Sequence, residues 1–215
     1  MGHDRPVGER QVGTMMKRAL PAKIASQLYA AAELIADRGL EGTRMEEIAE
    51  ATGIPKATLY YHLEGKNAVL EFLLEDFLDL IAGAVAVAKD ADGSASERLR
   101  ASITAQLSLM LEHPHLCRAL VGDLGRATRL PDLAAALDAA FLTPIRELLE
   151  EGARDGSLAR FEDPTTVATS IFGAVTVAGL SATAGARQRT AADAATLSGS
   201  IYTMLTLGIA GISPS

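Results

Sequence analysis

Between residues 56 and 66 the chain carries Lys56, Thr58, Tyr60, Tyr61, His62 and Lys66, the groups that suit a grip on a nucleic acid. A lysine near the start of a helix can reach guanine O6 and N7 in a major groove. Tyrosine, histidine, threonine and a second lysine further along can hold phosphate oxygens. The bland alternative is a solvated helix face, and the frame around these residues argues against it. Thr43 is a natural N-cap and Glu46, three residues on, completes a capping box. Ile48 and Ala49 then supply the inward face of a short helix. Gly53 stands where the chain must turn sharply, because glycine takes a positive φ without steric cost. Pro55 fits the first position of a second helix, where a missing N–H costs nothing. From Lys56 to Leu63 that helix tucks in Ala57 and Leu59 and turns the polar and aromatic residues outward. Two short helices about a tight turn make a helix-turn-helix DNA reader.

The run Gly-Ile-Pro-Lys-Ala-Thr-Leu-Tyr-Tyr-His-Leu-Glu-Gly-Lys, ending at Lys66, resembles the recognition-helix pattern of TetR-type bacterial transcriptional repressors. The run from Ala31 to Thr43 is similar to the first helix of the same domain and its exit turn, with Gly39 as the stop. The resemblance covers residues 20 to 75. It implies DNA contacts from Thr43, Arg44, Lys56, Ala57, Thr58, Tyr60, Tyr61, His62 and Lys66. Thr43 and Arg44 would sit at a helix N-terminus, where N–H groups and the helix dipole can hold a phosphate. Four departures from the pattern stand out. Ile35 and Leu63 replace the usual phenylalanines, which repacks the core. Gly65 replaces a serine. Glu64 adds an acid close to the expected phosphate face.

The net charge of −7 looks wrong for a DNA binder until it is divided along the chain. Residues 1–66 hold nine Lys/Arg and nine Asp/Glu, whereas residues 67–215 hold 11 and 18. The whole deficit lies outside the expected reading head, so an acidic body faces away from the phosphates. A neutral head predicts modest non-specific affinity. Apolar residues make up 48% of the chain and aromatics only 4%, so the core must be aliphatic and closely packed. The single Cys117 precludes an internal disulfide and fits a reducing cytosol. The apolar stretch Ile171 to Ala184 is short for a membrane span and no apolar export signal follows the N-terminal charges, so a cytoplasmic location is expected.

The elements behind the motif all read as helices. Residues 1–18 read as a flexible arm whose Arg5, Arg10, Lys17 and Arg18 could touch DNA; a plain tail is the better reading. Residues 19–68 form the DNA-binding domain and 69–215 an effector-binding and dimerisation domain. A helix from Lys66 to about Lys89 links the two, with Phe72, Leu73, Phe77, Leu80 and Ile81 as its apolar face. Ser94 with Glu97 caps a helix to about Glu112, and Pro114 breaks it. A short helix to Gly122 follows, then one from Pro131 to about Arg154 bent at Pro144. Asp163-Pro164 opens a helix to Ala184, and Thr190 with Asp193 caps the last, to about Ile209. The expectation is an all-α chain of about nine helices.

The last two helices are apolar nearly all round, with small residues interleaved. That predicts a homodimer through Val167, Ile171, Val175, Leu180, Leu197, Ile201 and Leu205. A pocket for a small, largely apolar effector is expected among Phe72, Leu107, Met110, Leu111, Leu120, Phe141, Ile145 and Phe172, each of which is more often plain core than ligand wall. His115 and Arg118 would orient the ligand. His113, His115 and Cys117 are the only metal-type cluster; residues two apart do not share a helix face, so no metal and no cofactor are expected. Gly179-Leu-Ser181 lacks the strand-turn-helix frame of a nucleophile elbow. No phosphate loop or paired-carboxylate site appears, so no enzyme is expected. The reading is a DNA-binding regulator released from a pseudo-palindromic operator by its effector. Its competitor is a helical carrier of hydrophobic ligands, which would have no need of the exposed Lys56/Tyr60/Tyr61/His62 face.

Overall fold

The computed structural model describes residues 20–127, 129–184 and 190–209. Arg5, Arg10, Lys17 and Arg18, the arm residues that could touch DNA, lie outside those residues. Among the described residues every regular element is helical: α1 (Ala22–Leu28), α2 (Ala30–Arg38), α3 (Met45–Thr52), α4 (Lys56–His62), α5 (Lys66–Lys89), α6 (Ala95–Glu112), α7 (Pro114–Gly122), α8 (Leu124–Ala127), α9 (Pro131–Leu137), a π-helical segment (Asp138–Leu142), α10 (Thr143–Asp155), α11 (Pro164–Ala184) and α12 (Ala191–Ile209). Tyr29, between α1 and α2, keeps helical angles, and α9, the π segment and α10 follow one another without a gap. Counted as rods, and leaving aside the one-turn α8, the described residues form nine helices.

Local chemistry sets most of the boundaries. Gly39 ends α2 with φ 71°. Ser94 and Glu97 form the expected reciprocal cap of α6, with the Ser94 N–H donating to the Glu97 carboxylate at 2.8 Å and the Glu97 N–H to Ser94 Oγ at 3.3 Å. Asp163 accepts from the Thr165 and Thr166 N–H groups, each at 3.1 Å, at the start of α11. Asp193 accepts from the Thr190 N–H at 2.8 Å at the start of α12.

The bend before α10 has a specific cause. In an α-helix the Ala140 carbonyl would accept from the N–H four residues on, but that residue is Pro144, which has none. The chain widens into the π turn, with Thr143 N–H bonded back to Asp138 O. The orphaned Ala140 carbonyl takes Gln106 Nε2 from α6 instead, at 3.2 Å.

Helix α6 is the axis of the body and packs against α5, α7, α10, α11 and α12. It runs antiparallel to α10 and α12: Arg98 meets Glu151 at 2.7 Å and Gln106 meets Ala140, while Ser96 bonds Tyr202 and Thr104 meets Ser198 at 2.7 Å. The core is aliphatic, with Phe77 and Phe141 the only aromatic side chains fully inside. Leu80 departs from the expected apolar face of α5: it is 44% exposed, and Val69, Leu70, Leu74, Leu78 and Val85 join Leu73, Phe77 and Ile81 inside. Helix α11, counted from Pro164, is long and apolar enough to cross a membrane by length and composition, contrary to the shorter stretch read from sequence. It packs here against α6, α7, α10, α12 and the π segment.

Candidate nucleic-acid interface and the body behind it

The reader is built on a small rigid head. Ile48, Ile54, Leu59 and Leu63 are buried and clamp α3 and α4 together. Gly53 takes the left-handed conformation, φ 66° and ψ 13°, and its N–H bonds Glu50 O. Thr52 stiffens the turn: its hydroxyl donates to Ile48 O at 2.7 Å and accepts from the Ile54 N–H at 3.3 Å. Gln27 Nε2 ties α1 to the same turn through Thr52 O, at 3.3 Å. Pro55 is the N-cap of α4 rather than its first helical residue.

Around α4, Lys56, Ala57, Tyr60 and Tyr61 are exposed, Thr58 and His62 half-buried, and Leu59 faces in. Ala57 therefore lies on the outer surface and is not tucked inside as its apolar type suggested. Tyr60 and Tyr61 are 52% and 68% exposed, an unusual cost for large rings unless they meet a partner. The Tyr61 ring stands edge-on to His62 at 4.9 Å. Lys56 bonds the Glu46 carboxylate of α3, and its Nζ lies 5.8 Å from the Tyr60 ring centre. That bond holds the Glu46 carboxyl below its usual range and raises the lysine above its own. Lys66 reaches back to the loop after α2, with Nζ 3.2 Å from Glu41 O and 3.5 Å from its carboxylate.

Thr43 is not the cap of α3. It is buried and its hydroxyl donates to Gly39 O at 2.8 Å, closing the exit turn of α2. The N-cap is Arg44, whose N–H donates to Glu47 at 2.9 Å; Glu47 also pairs with Arg38 at 2.6 Å. The sequence signal, an S/T residue three before an acid, slipped by one position because Glu46 and Glu47 are adjacent. The Thr43 hydroxyl is turned inward onto Gly39 O, while Arg44 stays exposed beside the α3 N-terminus.

A model for bacterial regulatory proteins of the tetR family matches residues 28–73, and one for the tetracyclin repressor-like C-terminal domain matches residues 92–178. The chain belongs to the TetR family. Among TetR-type relatives it is 36% identical over 106 residues to the transcriptional repressor KstR2 of Mycolicibacterium smegmatis, covering 49% of this chain and 50% of that one. It is 29% identical over 139 residues to the transcriptional activator FasR of the same organism, covering 65% and 62%. The matched stretch thus spans about half the length of the first relative and under two thirds of the second. The structure of AibR in complex with isovaleryl coenzyme A and operator DNA superposes with a TM-score of 0.67 at 26% identity, over 85% of this chain and 97% of that one. KstR2 of Mycobacterium tuberculosis superposes with a TM-score of 0.72 at 21% identity, over 89% and 96%.

Behind this TetR head, the body redistributes the residues expected to hold an effector. Leu107, Met110, Leu111, Leu120, Phe141 and Ile145 are buried core, with Phe72 and Phe172 half-buried at its edge. The Phe141 and Phe172 rings meet at 4.9 Å. His115 and Arg118 do not line that core. Arg118 reaches from α7 to the head, 3.0 Å from the Asp37 carboxylate on α2, and its other contact is His115 Nδ1 at 2.8 Å. His113 stacks edge-on to Phe77 at 5.9 Å. Among the described residues no three His, Cys, Asp or Glu side chains gather as a metal site.

The dimer residues also need correction. Ile171 and Val175 are fully buried, and Ile201 nearly so, inside their own subunit. Val167, Leu197 and Leu205 are half-buried against the same core, and Leu180 is half-buried. Helical spacing was right about which helices are apolar, but not about which side of them faces out. The outer faces carry Thr166, Ser170, Val177 and Ser181 on α11 and Thr196, Ser200, Thr203 and Met204 on α12. Val177 is 60% and Met204 58% exposed.

Proposed function

We propose that the protein is a non-catalytic, cytoplasmic transcriptional repressor that binds a pseudo-palindromic operator as a homodimer and is released by a small, largely apolar effector. Residues 19–68 would read DNA, and 69–215 would hold the effector and pair the subunits. The observation that carries the reading is the α4 surface: exposed Lys56, Ala57, Tyr60 and Tyr61, with Thr58 and His62 beside them, on a head stiffened from behind by Leu59, Thr52 and Gln27. Lys56 with Tyr60 would face base edges, and Tyr61, His62, Arg44 and Lys66 the phosphates. The family's regulatory relatives support the same assignment.

Two copies would pair through the outer faces of α11 and α12, where small residues allow close approach and Val177 and Met204 offer apolar anchors. The two heads would then meet half-sites about 34–36 Å apart, or a multiple of that. The AibR structure, which holds isovaleryl coenzyme A and operator DNA together, supports a division between a ligand-taking body and a DNA-taking head.

The test is a titration of the full chain on the DNA upstream of its own gene, across several salt concentrations. Lys66→Ala should weaken all sequences alike and lower the salt slope by about one. Operator affinity unchanged in both Lys56→Ala and Lys66→Ala, at one fixed salt concentration, would remove the DNA-reading assignment.

A further inference from the structure

Among the described residues five buried side-chain polar atoms have no partner; two are the Nε atoms of Arg98 and Arg118, and three, Ser102 Oγ, Gln106 Oε1 and Thr176 Oγ1, belong to uncharged side chains. Ser102 and Gln106 are fully buried and Thr176 is 4% exposed. Buried hydroxyls on helices ordinarily bond the carbonyl one turn back. Thr52, buried in the head, does so, bonding Ile48 O at 2.7 Å. Ser102 and Thr176 do not, so two hydroxyls in an otherwise aliphatic interior are unpaired. Leaving one such group dry costs about 1–3 kcal/mol, which a partner would recover.

The three atoms belong to one place. Met110 packs onto Gly179, where an added Cβ would lie 2.6 Å from Cε. Helices α6 and α11 run in the same direction: Gln106 meets the π segment whose Phe141 meets Phe172, and one turn further along α6 Met110 meets Gly179. One turn back from that contact along each helix stand Gln106 and Thr176, and one turn further back along α6 is Ser102. Across from them is the π segment, whose Ala140 carbonyl holds Gln106 Nε2 and whose Phe141 meets Phe172 of α11. The Gln106 amide cannot be turned round, because only its N–H₂ can serve the carbonyl that Pro144 leaves empty. Its oxygen is therefore fixed as an acceptor facing away from Ala140.

We propose that Ser102, Gln106 and Thr176 form the polar end of the effector site, and that the effector is an apolar molecule bearing a hydroxyl or amide N–H that donates to Gln106 Oε1. The hydroxyls of Ser102 and Thr176 complete its hydrogen bonds, and Phe141 and Phe172 flank the apolar part. This rests on the reading of the body as an effector domain and names the chemistry its ligand must have.

The probes are matched eight-carbon compounds: 1-octanol and octanamide, which carry the donor, and methyl octanoate, which does not. Binding to the full chain is followed by calorimetry, with melting temperature measured alongside. The two donor compounds should bind at least about tenfold tighter than the ester, and the alcohol and amide arms tell which donor is preferred. Thr176→Val and Ser102→Ala should hold or raise the melting temperature of the empty protein, because each removes an unpaired buried hydroxyl. Both should weaken the alcohol, the amide and the ester several-fold, since each carries an oxygen that accepts from these hydroxyls, whereas Gln106→Met should abolish the preference for the donor compounds. Equal binding of donor and ester, no binding of any probe, or a lowered melting temperature in both empty variants overturns the proposal; the last would mean that ordered water already satisfies the hydroxyls. Operator affinity is measured separately. Donor-selective binding that leaves DNA binding unchanged would keep this site and refute the inducer reading.

Discussion

The Lys56–Glu46 pair decides how the reading surface behaves before DNA arrives. Both side chains are exposed, so water and salt screen the bond and it contributes little to stability. Its consequence is for recognition, since Lys56 must leave Glu46, or carry it along, to reach a guanine. Lys56→Ala should cost about 1–3 kcal/mol of operator binding and relax specificity at one base pair per half-site. Glu46→Gln frees the lysine and removes an acid from the DNA-facing surface, so non-specific DNA affinity should rise while the melting temperature barely moves. Competition titrations with random-sequence DNA check both. Cys117 makes a second case at this scale. Burial pushes its thiol up to about 11, against the opposing effects of Thr183 and the Arg118 charge. A thiol with a raised folded pKa lends stability that is present below its unfolded value and lost as pH climbs toward 11. The native thiol should therefore react with a disulfide reagent at pH 8 only as fast as the protein opens, and much faster in denaturant. The contact residues of α4 were legible because their types and spacing are local. Thr43 was misread because two adjacent glutamates fit the capping rule equally well, and tertiary burial chose between them.

Helix ends were the most legible elements, since the caps of α6, α11 and α12 are each written within four residues. The π turn was not, although Pro144 flagged a bend. Its form depends on Gln106, which lies 34 residues away and takes over the Ala140 carbonyl. Side of exposure was the other failure: α11 and α12 are apolar on most faces, so periodicity could not tell the face against α6 from the face in solvent. Packing between elements gives a prediction of its own at Gly152. An added Cβ there would sit 2.6 Å from Leu158 Cγ and 2.7 Å from its Cβ. Leu158 Cβ cannot move without the backbone, which is held by the Leu158 N–H bond to Gly152 O at 3.0 Å. Alanine favours a helix over glycine by about 1 kcal/mol, and overpacking costs about 1–3 kcal/mol. Gly152→Ala should therefore come out neutral to about 2 kcal/mol destabilising, and adding Leu158→Ala should relieve only the part of the clash made by Cγ and Cδ1, since alanine keeps the Cβ. Chemical denaturation of the two single variants and the double variant would show a coupling of that sign.

At the scale of the whole molecule, two surfaces connect what each helix does alone. The first is the outer face of α11 and α12. Val177→Arg or Met204→Arg should leave the fold intact, because both side chains are exposed, yet give monomer in sedimentation. Val175→Arg would unfold the chain instead, since that side chain is fully buried, and so would say nothing about pairing. An intact dimer after both exposed changes would place the interface elsewhere.

The second surface is the junction of head and body, where α2 packs on α7 and Arg118 spans to Asp37. Helix α5 is continuous through the same junction, so a shift of the body has two routes to the head. Arg118 is the directional one: a half-buried guanidinium, oriented by His115 on its own helix, holding a carboxylate on the head. Its pair is partly exposed and should be worth no more than about 1 kcal/mol to stability. Its effect on coupling is a separate quantity, because a contact that differs between DNA-bound and effector-bound states sets their linkage however little it adds to either. Asp37→Asn, which keeps shape and removes charge, should leave the melting temperature nearly unchanged and lower the ratio of operator affinities without and with effector. Linkages of this kind run to about 5- to 150-fold, and losing this contact should remove a measurable part of that. The measurement is operator affinity at saturating and zero effector, in wild type, Asp37→Asn and Arg118→Gln. If the pair carries the coupling, the two variants give the same reduced ratio and the double variant no further loss. Reductions that add in the double variant would mean that each residue acts through separate contacts and that α5 is the transmitting element.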